Sequence, residues 1–165
     1  YELYVLASMD LAARKDAGAV RAVLAAAATA GVEVQRVSRH ELNLLANDRP
    51  HQGLVLDCEP LSWVLMDELP TAASLPTGGP PPVWLVLDEV MDPQNLGAIL
   101  RSAWCLGAAG VLASAKNCAP LSPAVSKASA GAMEVAPVHA CKNLARTLAD
   151  AVAKGWTVLG AAGES

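Results

Sequence analysis

Val83-Trp84-Leu85-Val86-Leu87-Asp88-Glu89-Val90-Met91-Asp92-Pro93-Gln94-Asn95-Leu96-Gly97-Ala98-Ile99-Leu100-Arg101-Ser102 changes from one backbone pattern to another within a short span. Residues 83–87 are apolar without alternation, the mark of a parallel strand covered on both faces. Residues 88–95 are polar and turn-forming, and the spacing predicts a helix over 96–106 that Gly107 ends. Asn95 is expected at the N-cap, where its side chain can accept a backbone N–H. Helical side chains lean towards the helix start, which aims Arg101 at the loop, and Gly97 clears its path. A guanidinium and an amide beside free helix-start N–H groups suit a phosphate or a ribose. A capped helix with a surface arginine satisfies the same spacing, so both readings stand at this point.

The same alternation extends outward. Downstream, residues 110–113 read as a strand, Ser122-Pro123 opens a helix, and 133–138 reads as a strand that Pro137 places near an edge or ends early. Asn143 opens a helix through Lys154, Gly155 stops it, and 156–160 reads as a last strand. Upstream, Pro60–Pro82 is rich in proline and glycine and reads as a linker, with a short helical or extended piece at 61–69. Before it, residues 2–6, 32–37 and 54–58 read as strands, with helices at 17–30 and from the Ser38/Glu41 capping box to Asn47. A β-α-β-α-β order implies a parallel sheet covered by helices. The expected layout is thus a small α/β domain at 1–59, a linker at 60–82, and a second α/β domain at 83–165.

Composition narrows the classes. The 165 residues carry 12 Lys+Arg and 16 Asp+Glu, a net charge of −4, with 53% hydrophobic and 17% charged content. A mean hydropathy of +0.34 excludes a disordered chain. No window approaches a membrane span: the most apolar helical stretch, 20–31, contains Arg21 and falls short of ~20 apolar residues. The mild acidity argues against a protein coated in nucleic acid. Cys58, Cys105, Cys118 and Cys141 form no C-x-x-C pair and read as free thiols, and no spacing suggests a metal site. There is no G-x-G-x-x-G, no Walker A and no nucleophile elbow. Residues 1–6 read as a strand rather than a targeting segment.

Two further segments stand out. In 122–134, small residues permit close backbone approach to a neighbour, with Lys127 and Glu134 as the only charges. His51-Gln52-Gly53 reads from its residues as a polar turn before a strand.

Together these segments resemble the SpoU/TrmH family of RNA ribose 2′-O-methyltransferases, within the SPOUT superfamily. The resemblance is strongest to the branch that methylates a guanosine of large-subunit ribosomal RNA in bacteria and mitochondria. Asp92-Pro93-x-Asn95-x-Gly97-Ala98-x-x-Arg101-Ser102 matches the family's first motif, and Lys127-x-Ser129-Ala130-Gly131-Ala132-x-Glu134 resembles the segment that follows it. His51-Gln52-Gly53 resembles the ending of the family's small RNA-binding domain. Asn143-Leu144-Ala145-Arg146-Thr147-Leu148 and Val158-Leu159-Gly160 resemble the same branch. Pro120-Leu121-Ser122-Pro123 and Cys141-Lys142-Asn143 are closer to organellar members. That implies an organelle, the mitochondrion ahead of the chloroplast, with the bacterial cytoplasm as the alternative.

The resemblance implies an L30e-like domain whose first helix has no match here, followed by the first part of a trefoil-knotted SPOUT domain. The family's later G-x-E-G turn and Ser-Leu-Asn segment have no match up to Ser165, so the knot segment is expected to be absent from this chain. It also implies S-adenosylmethionine as cofactor, ribosomal RNA of the large subunit as partner, and a homodimer off the membrane. Asn95 and Arg101 would be catalytic, Gly97 and Glu134 supporting, and Lys127, His51 and Gln52 RNA-binding. Gly160, Ala161 and Ala162 would edge the cofactor pocket. A guanidinium stays protonated, which favours Arg101 as a phosphate-orienting group over a general base. A second reading remains: a non-catalytic relative serving as a ribosome-associated structural or assembly component.

Overall fold

The computed structural model describes residues 1–74 and 81–161. The chain divides into two compact units, Tyr1–Glu59 and Pro60–Ser165.

The first unit is a three-stranded sheet, β1 (Glu2–Leu6), β2 (Glu33–Val37) and β3 (Leu54–Asp57), in the order β2-β1-β3. Helix α1 (Ala17–Thr29) crosses from β1 to a parallel β2, and Gly31, at φ +68°, turns the chain between them. Leu3 and Val5 face a core shared with Ala27 and flanked by Leu24 and Leu54. Helix α2 (Arg39–Leu45) opens on the expected capping box: Glu41 N–H donates to Ser38 Oγ, and Ser38 N–H donates to Glu41 Oε2. Those bonds hold the Glu41 carboxyl below its ordinary range. The all-parallel expectation fails at β3, which runs antiparallel to β1. A seven-residue helix is only about 10 Å long, too short to carry the chain back past a five-residue strand. Left-handed Asn47 and Asp48 then turn the chain so that it re-enters beside the end of β1.

The second unit holds a fully parallel four-stranded sheet in the order β4-β7-β6-β5. Its strands are β4 (Val64–Leu65), β5 (Trp84–Leu87), β6 (Gly110–Ser114) and β7 (Val138–Cys141). Helices α3 (Pro93–Cys105) and α4 (Pro123–Ser129) cover one face, where Leu96, Leu100 and Val125 pack on Leu87, Val111, Ala113 and Val138. Helix α5 (Leu144–Ala153) belongs to the other face, where Leu112, Cys141, Leu69 and Ala151 form a second core. Strand β5 is therefore apolar on both faces although it lies at the sheet edge.

Three expectations are corrected in this unit. The 60–82 stretch, expected as a linker, groups with the second unit: its short extended piece is Val64–Leu65, which pairs with β7, Leu69 is buried, and the segment is stitched to the α5 region. Asp67 accepts from Lys142 N–H (3.0 Å) and Thr147 Oγ (3.0 Å), and Lys154 Nζ donates to Glu68 (2.7 Å). Residues 75–80 of that stretch lie outside the described residues. The strand expected at 133–138 is displaced. Ala132–Glu134 is a 3-10 turn because left-handed Ala130 and Gly131 precede it and the Ser129 hydroxyl takes the Met133 N–H. Strand β7 starts only after Pro137, between β4 and β6 rather than at an edge. Residues 156–160 form no strand. Trp156 donates its backbone N–H to Ala151 O at the end of α5 and its indole N–H to Pro70 O (2.8 Å).

The Trp84 indole lies over Gly110, where a Cβ would come within 2.5 Å of the ring, and its centroid is 5.6 Å from that of His139. Trp84 Nε1 and His139 Nδ1 are both buried without a described hydrogen-bond partner. Burial lowers the His139 pKa. A base whose pKa falls on folding is protonated more readily in the unfolded chain, so stability drops as pH falls below the ordinary value near 6.5. Urea midpoints at pH 7.5 and 5.5 test this: His139→Phe should lose part of the acid-side decline, and an unchanged slope would remove His139 as its source.

Candidate active site at the first turn of α3

The helix after β5 starts one turn earlier than its sequence suggests. Asp92, not Asn95, is the N-cap: its carboxylate accepts from the N–H groups of Gln94 (3.1 Å) and Asn95 (3.4 Å), and Pro93 occupies the first turn. Asp92 accepts more strongly than an amide because it is charged, and Pro93 has no N–H to leave unsatisfied. Asn95 is thereby relieved of capping and stands exposed inside the first helical turn.

Its side of the helix borders an open cleft of about 540 Å³ at the carboxyl end of β5, lined by Glu89, Val90, Met91, Asp92, Asn95, Ala98 and Ile99. Ligands of parallel α/β sheets bind at this end of the strands. Glu89 and Met91 were not singled out from sequence. Glu89 sits at φ +56°, a backbone conformation rare for a glutamate, and Met91 is exposed. Their signal was position alone, in the loop between a strand end and a helix start. The loop is pinned by Ala119 N–H donating to Val90 O (2.9 Å), which joins it to the loop after β6.

Arg101 is exposed and forms no hydrogen bond or ion pair with another described residue. Six residues separate it from Asn95, which at 100° and 1.5 Å per residue places them roughly 120° apart around the axis and about 9 Å along it. The two are not in contact, and Arg101 does not line the cleft. A ligand longer than one side chain is needed to touch both.

Gly97 does something other than clear a path for Arg101. It is buried against α4, and a Cβ there would lie 2.4 Å from Ala128 Cβ, 2.8 Å from Val125 O and 2.9 Å from Ser129 N. The small residues of 122–134 thus serve a close helix crossing. Ser129 is buried, donating to Ser126 O (2.9 Å) and accepting from Met133 N–H (3.1 Å). Lys127 is exposed on α4, and Glu134 is exposed at the end of the 3-10 turn. Among the described residues Glu134 makes no ion pair with Arg101.

In the first unit, Gly53 N–H donates to His51 Nδ1 (3.1 Å), and His51 Nε2 therefore carries the proton it shares with Asn43 Oδ1 (2.9 Å). The imidazole ties α2 to the turn before β3 and has no ring nitrogen left over for a ligand. Gln52 is exposed, and its carbonyl accepts from Arg14 (3.1 Å). Gly160 and Ala161 are exposed in irregular backbone, with open space around Gly160. Ala162 lies outside the described residues.

The SpoU rRNA Methylase family matches residues 82–165, and a family described as RNA 2'-O ribose methyltransferase substrate binding matches residues 7–64. The mitochondrial rRNA methyltransferase 1 of Schizosaccharomyces pombe is 36% identical over 150 residues, covering 78% of this chain and 50% of that protein. The 23S rRNA (guanosine-2'-O-)-methyltransferase RlmB of Pseudomonas syringae is 40% identical over 149 residues, covering 88% and 57%. The SpoU methyltransferase AviRb of Streptomyces viridochromogenes, solved with AdoMet, superposes with a TM-score of 0.60 at 20% identity over 93% of this chain and 52% of that one. That last likeness is one of fold. The chain spans about half the length of the curated relatives it matches.

Proposed function

Because the chain belongs to the SpoU rRNA methylase family, we propose that the protein transfers a methyl group from S-adenosylmethionine to a ribose 2′-hydroxyl, that of a guanosine, in large-subunit ribosomal RNA. The observation that carries this reading is that exposed Asn95 lines the cleft at the carboxyl end of β5, with exposed Arg101 further along the same helix. S-adenosylmethionine supplies an electrophilic methyl group when bound. The chain's own residues act on the nucleotide. Arg101, always charged, would grip a phosphate with its paired N–H donors. Asn95 can both donate to and accept from a ribose hydroxyl. Fixing phosphate and ribose together restricts the hydroxyl to an attacking geometry, which converts a slow encounter into an intramolecular step.

The trefoil knot and the homodimer belong to this reading, as does a mitochondrial location, which the mitochondrial names of several relatives support. The test is transfer of labelled methyl from S-adenosylmethionine to large-subunit ribosomal RNA by the full-length protein, followed by alkaline hydrolysis. RNA cleaves in alkali through its 2′-hydroxyl, so a 2′-O-methylated site survives as a labelled, alkali-resistant dinucleotide. Label released as a mononucleotide would overturn the ribose assignment. RNA binding without transfer would favour the non-catalytic reading.

A further inference from the structure

The first unit is electrically polarised along its strands. Every lysine and arginine of residues 1–59 (Arg14, Lys15, Arg21, Arg36, Arg39 and Arg49) belongs to the end where β1 and β2 finish and β3 begins, or to the first turns of α1 beside it. Arg36 lies opposite Val5 near the end of β1, Arg39 opens α2, and Arg49 lies in the turn returning to β3. Arg14 reaches the Gln52 carbonyl at the same end. Four carboxylates, Asp10, Asp16, Glu41 and Asp48, share this end, and Asp16 and Arg14 pair with each other. The opposite end has no base. Glu2 is flanked in register by Glu33 on one side and Asp57 on the other, and Glu59 follows. Like charges placed directly opposite across strands cost stability, so a row of three acids is not a packing solution.

We propose that RNA meets the first unit at its basic end, with Arg36, Arg39 and Arg49 as phosphate contacts, and not at the end that carries Glu33, Glu2 and Asp57. The inference rests on the RNA reading above and adds the face and the residues. Arg36 near the end of β2, Arg39 at the start of α2 and Arg49 in the turn before β3 are all exposed. Exposed Gln52 stands at the same end, available to a base or sugar edge.

The experiment is filter binding of a labelled large-subunit ribosomal RNA transcript to the full-length protein across a salt series. Arg36→Glu/Arg39→Glu/Arg49→Glu should weaken binding at least about tenfold and flatten log K against log salt by about 2–3, near one per lost phosphate contact. Glu2→Gln/Glu33→Gln/Asp57→Asn should change affinity less than about twofold on the same logic. The arginine-to-glutamine triple serves if the reversal variant fails to fold by circular dichroism. A folded arginine variant with unchanged affinity and slope overturns the assignment while leaving the RNA reading intact. Wild-type protein that does not bind the transcript overturns both.

Discussion

Gly97→Ala is expected to destabilise the protein by about 2 kcal/mol or more, the upper range for overpacking a close contact. Alanine would ordinarily strengthen a helix interior by about 1 kcal/mol over glycine, so the sign of the result separates the two effects. Steric cost prevails because the three nearest atoms lie 2.4–2.9 Å from the added carbon, and two of them are backbone. No rotamer change can move Val125 O or Ser129 N. Helices α3 and α4 would have to part, loosening the core around Leu96, Leu100 and Val125. Urea unfolding reads the loss directly. Ala128→Gly in the Gly97→Ala background should recover part of it by deleting the atom at 2.4 Å, and only part, because the backbone contacts persist. An unchanged or raised midpoint in the single variant would refute the close crossing.

Arg101→Ala is expected to lower kcat/KM for methyl transfer by about 10²-fold or more, the order attached to losing a positioning contact in a reaction that depends on orientation. The fold should be untouched, since Arg101 is exposed and bonds to no described residue. Arg101→Lys retains the charge but loses the planar fork, so its activity should fall between wild type and alanine. Steady-state kinetics beside a thermal melt separate the outcomes. Full activity in the alanine variant would remove Arg101 from the reaction. Activity lost together with the melting temperature would make it a structural residue.

Local signals in the sequence located what local forces control. The capping box at Ser38, the Asn143 cap, the stops at Gly31 and Gly155, and strand β1 all follow from residues a few positions apart. The misreadings share a different cause. Asp92 and Asn95 both cap helices well, and only the backbone bonds show that the charged one does so here. Residues 133–138 and 156–160 look like strands by composition, but in one a serine hydroxyl takes the first N–H and in the other the first N–H folds back onto Ala151 O. The proline-rich stretch looked like a tether because β4 is only two residues long and its partners are remote in sequence. At the site, the exposed motif residues were legible as a helix start. That Gly97 faces α4 was not, because nothing in one segment states which other segment will pack on it.

The stitching of residues 67–70 to the α5 region sets the order in which the second unit can close. Its hydrogen bonds join partners 75 to 86 positions apart. On a chain emerging from the ribosome, β4 therefore leaves the exit tunnel long before its partner β7 and must wait unpaired. Pairings this distant carry a high contact order and form late, and an unpaired edge with apolar side chains is open to association in the meantime. Val64 and Leu65, exposed at the sheet edge even in the finished unit, are where a nascent chain of this protein is most in need of shielding.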